Sequence, residues 1–161
     1  MNAAVITPTV LILAGSVSLV ITPAASFLAC TVSLSASDRE LPVGIQCPVC
    51  DQAASAEHAA DWKGGQVYLA CPKCAARFRG APKEYAVKAN SQLVATGQAK
   101  QVACPITGRE LNSDRQVNVG GVDISFCCVG CQGRVARAKG DVQRYLVFSE
   151  NAFAKGFAVG K

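Results

Sequence analysis

Eight cysteines carry the chemistry open to this chain. They fall into two sets, Cys47, Cys50, Cys71 and Cys74, then Cys104, Cys127, Cys128 and Cys131. A shift of 57 residues lays Cys47 on Cys104, Cys71 on Cys128, Cys74 on Cys131 and Pro48 on Pro105. Cys50 falls on Thr107, which cannot replace a thiolate, but Ala70 falls on Cys127, so the second set regains a fourth thiol next door. Each set is split into two clusters about twenty residues apart, the arrangement that a tetrahedral thiolate site requires. A period of this size marks a duplicated module.

In the first set, Cys47-Pro48-Val49-Cys50 and Cys71-Pro72-Lys73-Cys74 are two CxxC loops. Backbone amides in such a loop point at the sulfurs and favour the thiolate. Four thiolates make a soft site suited to Zn(II), or to Cu(I) with fewer ligands engaged. Disulfides are the competing use of the same residues, but they explain the paired clusters less well. His58, the only histidine, is expected as an exposed residue of the first hairpin strand, with substitute ligation as its alternative. Trp62 and Phe78 are expected in the core.

The second set departs from CxxC at Cys104-Pro105-Ile106-Thr107. Two triads are open, Cys104 with Cys127 and Cys131, or Cys104 with Cys128 and Cys131. A strand would send adjacent cysteines to opposite faces, an objection that weakens at a strand end or helix start. A three-thiolate site would exchange its metal more readily than a closed four-coordinate one.

The elements that must position these thiols follow from the intervening residues. Lys63-Gly64-Gly65-Gln66 and Gly120-Gly121 read as hairpin turns. Val67 to Ala70 is strand-like, and Val122 to Phe126 alternates as a strand should. A helix starts after Cys74, and Pro82 opens another, with Tyr85, Ala86, Ala89, Leu93 and Val94 recurring at helical spacing. Gly133 to Arg137 continues a helix in the second module, with core supplied by Val142, Tyr145, Leu146 and Phe148. Residues 152–157 are expected to pack a short helix back on that module. The order of knuckle, hairpin and helix is that of a treble-clef zinc finger. The expected fold class is α+β, two small treble-clef-like modules after an N-terminal apolar helix.

The 161-residue chain has no charged side chain before Asp38. Residues 1–37 read as a signal peptide or membrane anchor, although no basic residue precedes the apolar run. Pro8 and Pro23 limit the uninterrupted helix to about 14 residues, nearer a signal peptide than a span. Cys30, in Phe27-Leu28-Ala29-Cys30, loosely matches a lipidation box; an incidental apolar cysteine is the alternative. Residues 38–46 then form a linker, 47–98 the first module and 99–161 the second. Modules this small bury little apolar surface and usually need a metal or a disulfide. The net charge of +5 is too mild and diffuse to argue for nucleic acid.

The phrase from Asp123 to Cys131, DISFCCVGC, with the C-x22-C-x3-C spacing and the glycine hairpin, resembles the TRASH/YHS group of treble-clef-like domains. That group is associated with heavy-metal trafficking, resistance and sensing. The resemblance covers about residues 45 to 157. It implies metal binding through Cys104, Cys127 and Cys131, with Cys128 as a further candidate. The first module is a divergent relative, with Ala70 where the C-x3-C cysteine would stand.

Together these residues point to an exported, periplasmic or membrane-anchored metal-binding protein of the cell envelope. Its partner is a metal ion, Zn(II) or Cu(I), which it stores, passes on or senses. Its membrane contact would run through the N-terminal segment. One histidine and scattered carboxylates make no catalytic constellation, so no enzyme is expected. The alternative is a pair of structural zinc modules presenting a surface to a protein partner. A third reading, an exported thiol oxidoreductase using Cys47/Cys50 or Cys71/Cys74, lacks the βαβ pattern of the thioredoxin kind.

Overall fold

The computed structural model describes residues 41–160. The apolar segment with Cys30 and the expected N-terminal helix lie outside the described residues. The first hairpin joins β1 (Ser55–Trp62) to β2 (Gly65–Leu69) through a two-residue turn, Lys63 and Gly64. Both turn residues have positive φ, 52° and 85°, which twists the turn to match antiparallel strands. Gly65 is needed for a different reason. A side chain there would meet Leu93 Cδ2 at 2.8 Å and Gln98 Oε1 at 3.1 Å.

After β2 come α1 (Pro72–Gly80), a 3₁₀ turn (Pro82–Tyr85) and α2 (Ala86–Ala95). Pro72 at the first helical turn and Arg77 and Arg79 in the last turn suit the termini and dipole of α1. In α2, Ala86, Ala89 and Leu93 recur on one face and are buried. A short strand, β3 (Ala99–Gln101), leads to the second half.

There β4 (Asn112–Val119), β5 (Val122–Phe126) and α3 (Val129–Arg137) each begin 57 residues after β1, β2 and α1. The hairpins share an irregularity, with register shifts between Ser55 and Ala59 and between Asn112 and Gln116. Gly120 and Gly121 form the second turn at φ 63° and 88°. Then α4 (Gly140–Phe148), α5 (Glu150–Gly156) and β6 (Phe157–Val159) close the chain. β6 pairs antiparallel with β3 in the register Ala99↔Val159, Lys100↔Ala158 and Gln101↔Phe157. The C-terminal strand therefore zips to the strand that joins the two halves.

The described residues belong to one unit, and one hydrophobic cluster runs through both halves. It includes Val67, Leu69, Phe78 and Leu93 from the first and Ile124, Phe126, Val135 and Phe148 from the second. Phe157 stacks on Phe153 at 5.2 Å and tilts against Phe148 at 5.7 Å. Phe78 is buried as expected, with Trp62 partly buried and edge-on to it at 5.8 Å. Two core assignments need correction. Val142 and Tyr145 are 64% and 63% exposed. α4 turns Val147 and Phe148 inward, and residues 142 and 145 lie on its far side. Among the described residues, no helix is long and apolar enough to cross a membrane.

Candidate metal centres

Each thiol cluster is assembled from a tight loop, a strand end and the first turn of a helix. In the first loop, Cys47 N–H donates to Gln52 O at 2.7 Å and Asp51 N–H to Cys47 O at 3.0 Å. The second loop repeats this, with Cys104 N–H to Arg109 O at 2.9 Å and Gly108 N–H to Cys104 O at 2.7 Å. The loops turn on positive φ at Asp51 (59°) and Gly108 (74°). These turns fold each loop back, so that Cys47 meets the N–H of Ala70 and Cys104 that of Cys127 at the strand end.

The edge of each strand delivering the later thiols is held by glutamine side chains. Gln92 accepts Tyr68 N–H at 2.7 Å and donates to Tyr68 O at 2.8 Å and Gln46 O at 3.0 Å. Gln98 clamps Gln66 in the same two-sided way, at 2.7 Å on each side. In the second half Gln101 accepts Ser125 N–H at 2.9 Å and donates to Ser125 O at 2.7 Å. A primary amide offers the donor and acceptor that an unpaired strand edge lacks, so each glutamine stands in for a neighbouring strand.

In the first cluster the sulfurs of Cys47, Cys50 and Cys74 lie within 4.8 Å of one another. Cys50 Sγ is 3.6 Å from Cys74 Sγ, and Cys71 Sγ is 3.4 Å from it. In the second cluster Cys104, Cys127 and Cys131 lie within 4.8 Å, with Cys127 and Cys131 sulfurs 3.7 Å apart. Cys128 follows Cys127 at the start of α3 and is half-buried. A Zn–S bond of about 2.3 Å implies sulfurs about 3.8 Å apart at tetrahedral corners. The sulfur separations of 3.4, 3.6 and 3.7 Å lie close to that edge length, so all-sulfur donor sets of this shape fit a tetrahedral d¹⁰ ion. All eight described cysteines are free thiols. His58 is half-buried on β1 and belongs to neither thiol group.

The environments of the sulfurs are uneven. Burial pushes the Cys47 thiol up, but the N–H groups of Ala70, Val49 and Cys50 outweigh it and hold Cys47 below the ordinary thiol range. Burial opposes ionisation of Cys104 too, yet the Thr107 hydroxyl and the N–H groups of Cys127, Thr107 and Ile106 bring it down to about 7. The Cys74 N–H and thiol lower Cys71. Their partners carry the protons. Cys74 is pushed up to about 12 by its bond to Cys71 and by burial. Cys131 is pushed up to about 12 by burial and by Cys127 and Cys128. Without a cation, each cluster shares protons among thiols; a divalent ion would replace them.

Sequence reasoning missed two groups of residues at these centres. The first is the glutamine clamps, which carry no motif. The second is Thr107, whose hydroxyl lies 3.2 Å from Cys127 Sγ and beside Cys104. Its 57-residue correspondence with Cys50 was the only available signal. Compared with known proteins, the chain matches no family model, no curated protein and no solved structure.

Proposed function

We propose that this chain is a non-enzymatic metal-binding protein with two thiolate centres of the treble-clef kind, for Zn(II) or Cu(I). The ligands are Cys47, Cys50, Cys71 and Cys74 in one, and Cys104, Cys127, Cys128 and Cys131 in the other. The observation that carries this reading is the convergence of two cysteine triads, each within 4.8 Å, onto buried thiols at a helix start. The 57-residue recurrence of loop, hairpin and helix supports a tandem duplication. The likeness of the second half to TRASH/YHS domains supports a role in trafficking, storage or sensing of heavy metals. The apolar first 37 residues support export, and hence a place at the cell envelope, periplasmic or membrane-anchored.

The second reading is that both metals are structural staples for a surface that binds a protein partner. It is favoured by the burial of Cys47, Cys74, Cys104 and Cys131 within the core cluster. Metal content and exchange on the anaerobically purified chain separate the two. Two bound ions, one inert and one readily exchanged, support metal handling. Two inert ions support the structural reading. No bound metal, with the thiols paired as disulfides, would sink both and favour a redox role.

A further inference from the structure

The duplication leaves one groove walled by the other half and its counterpart open. In the first half a groove of about 470 Å³ lies between the Cys47 loop and α2, with Pro48, Lys88 and Ala95 in its lining. Part of its wall comes from the second half, from Gly120 in the hairpin turn and Arg144 on α4. The turn sits close against both helices: a Cβ on Gly120 would stand 3.1 Å from Arg144 Nε and 3.8 Å from Ser91 Oγ. The 57-residue shift carries Pro48, Lys88 and Ala95 onto Pro105, Tyr145 and Ala152. These three line a groove of about 450 Å³ in the second half, beside the Cys104 loop, α4 and α5. Among the described residues, none from the first half walls it.

The chemistry of the two grooves differs as well. In the first, Asp51 is part of the lining and pairs with Lys88 at 2.7 Å. The same shift puts Gly108 in place of Asp51, so the second groove loses that carboxylate. Its apolar surface is the half-buried Ile106 and Leu146 with the exposed Tyr145, and its cations are the exposed Arg134 and Lys155. No acidic residue lines it, and among the described residues neither Arg134 nor Lys155 is ion-paired. Val142 lies one turn before Tyr145 on α4, and the two are 64% and 63% exposed. An open apolar surface rimmed by unpaired cations has the composition of a binding face.

We propose that this groove docks a partner protein through an acidic segment with an apolar anchor. The anchor packs on Ile106, Leu146 and Tyr145, and the flanking carboxylates meet Arg134 and Lys155. Charge and shape disfavour the other occupants. A second copy carries the same net charge of +5, and like charges oppose close approach. A bilayer is flat and does not reach the floor of a concave groove. Pro105 and Ile106 directly follow Cys104, so a docked partner lies beside the second thiol cluster. This inference goes beyond the metal-binding reading and holds whether either ion exchanges or stays fixed.

The test uses the metal-loaded full chain and a fluorescein-labelled peptide with a leucine and a phenylalanine between pairs of glutamates. The control is the same peptide with lysines for the glutamates. Fluorescence anisotropy is expected to show the acidic peptide binding at least about tenfold more tightly. Its amide shift changes in the NMR spectrum are expected at residues 105–106, at Arg134 and at residues 145–155, and not around the first groove. Arg134→Glu combined with Lys155→Glu is expected to reverse the preference between the peptides while metal content stays the same. No binding, equal binding of both peptides, or shifts centred elsewhere would overturn the proposal. Phosphatidylglycerol vesicles bound through the same two cations, with the peptide ignored, would assign the face to a membrane and overturn it. A dimer in sedimentation that Tyr145→Ala dissociates would assign the face to a second copy and also overturn it. The shift map of the unsubstituted chain decides the matter even if the double variant does not fold. Metal content of the same sample is read separately: a folded chain that docks the peptide and never takes up metal would sink the metal-binding reading and leave this one standing.

Discussion

At the scale of single residues, the centres are governed by which sulfur carries a proton. Cys74 and Cys131, both raised to about 12, hold protons at every physiological pH in the metal-free chain. Binding a metal to either centre must release at least that proton. Affinity therefore rises with pH, and falls as pH drops. Between pH 8 and pH 6 each centre is expected to weaken by at least about a hundredfold, tenfold per proton per unit. Cys104, brought down to about 7, adds a second proton at the second centre only as pH falls through that value. The decline of the second centre should therefore steepen below pH 7. Chelator competition across this range measures both slopes, and a flat profile would contradict the proton assignment.

At the scale of elements, the strands that deliver the thiols depend on side chains far away in sequence. Gln92 on α2 makes three hydrogen bonds that hold β2 and the approach to Cys47. Gln92→Ala leaves the N–H and C=O of buried Tyr68 without partners, and is expected to cost about 3 kcal/mol. Urea unfolding of the metal-loaded chain would measure it; an unchanged midpoint would show that water replaces the amide. Gly156, at the end of α5, presses on the second loop. A Cβ there would stand 2.9 Å from Pro105 Cα and 3.1 Å from Ala103 O, both backbone atoms that cannot swing aside. Gly156→Ala is expected to cost about 1–3 kcal/mol and to weaken metal binding at the second centre while sparing the first. Equal weakening of both centres in a titration would show that the strain spreads beyond the loop.

At the scale of the whole described unit, two halves too small to be comfortably stable share one core. Buried Asn90 on α2 links them, accepting Trp62 Nε1–H at 2.8 Å and donating to Phe148 O at 2.9 Å. Lys63 and Glu150 pair across the same junction at 2.7 Å, but both are exposed enough for solvent to screen them. Asn90→Ala should lower stability by about 2–4 kcal/mol, since it strands a buried carbonyl and the indole N–H. The loaded chain is expected to melt in one transition before and after the substitution, because the core and the β3–β6 pairing join the halves. Two separated calorimetric transitions would contradict that coupling. Removing the metals by chelation should lower the same single midpoint.

Much of this was legible in the sequence because it is local or periodic. The CxxC spacing, the Gly-rich turns and the 57-residue offset are set by residues close together in the chain, and they led to the hairpins, the helix starts and the eight thiols. Alternation in Val122–Phe126 and the helical spacing of Ala86, Ala89 and Leu93 gave the strand and the helix for the same reason. What joins distant residues carried no such mark. The strand between the halves and the C-terminal strand are three residues each, too short for a periodic signal, and only their pairing defines them. The glutamine clamps look like ordinary surface polar residues until the strand edge beside them is placed. Val142 and Tyr145 have the right spacing for a buried face, but which face of α4 is buried depends on what packs against it. The sequence alone determined that two sets of thiols exist and which short elements carry them. The tertiary structure decided which sulfurs converge, which are held and which stand open, because those depend on contacts between segments the chain keeps far apart.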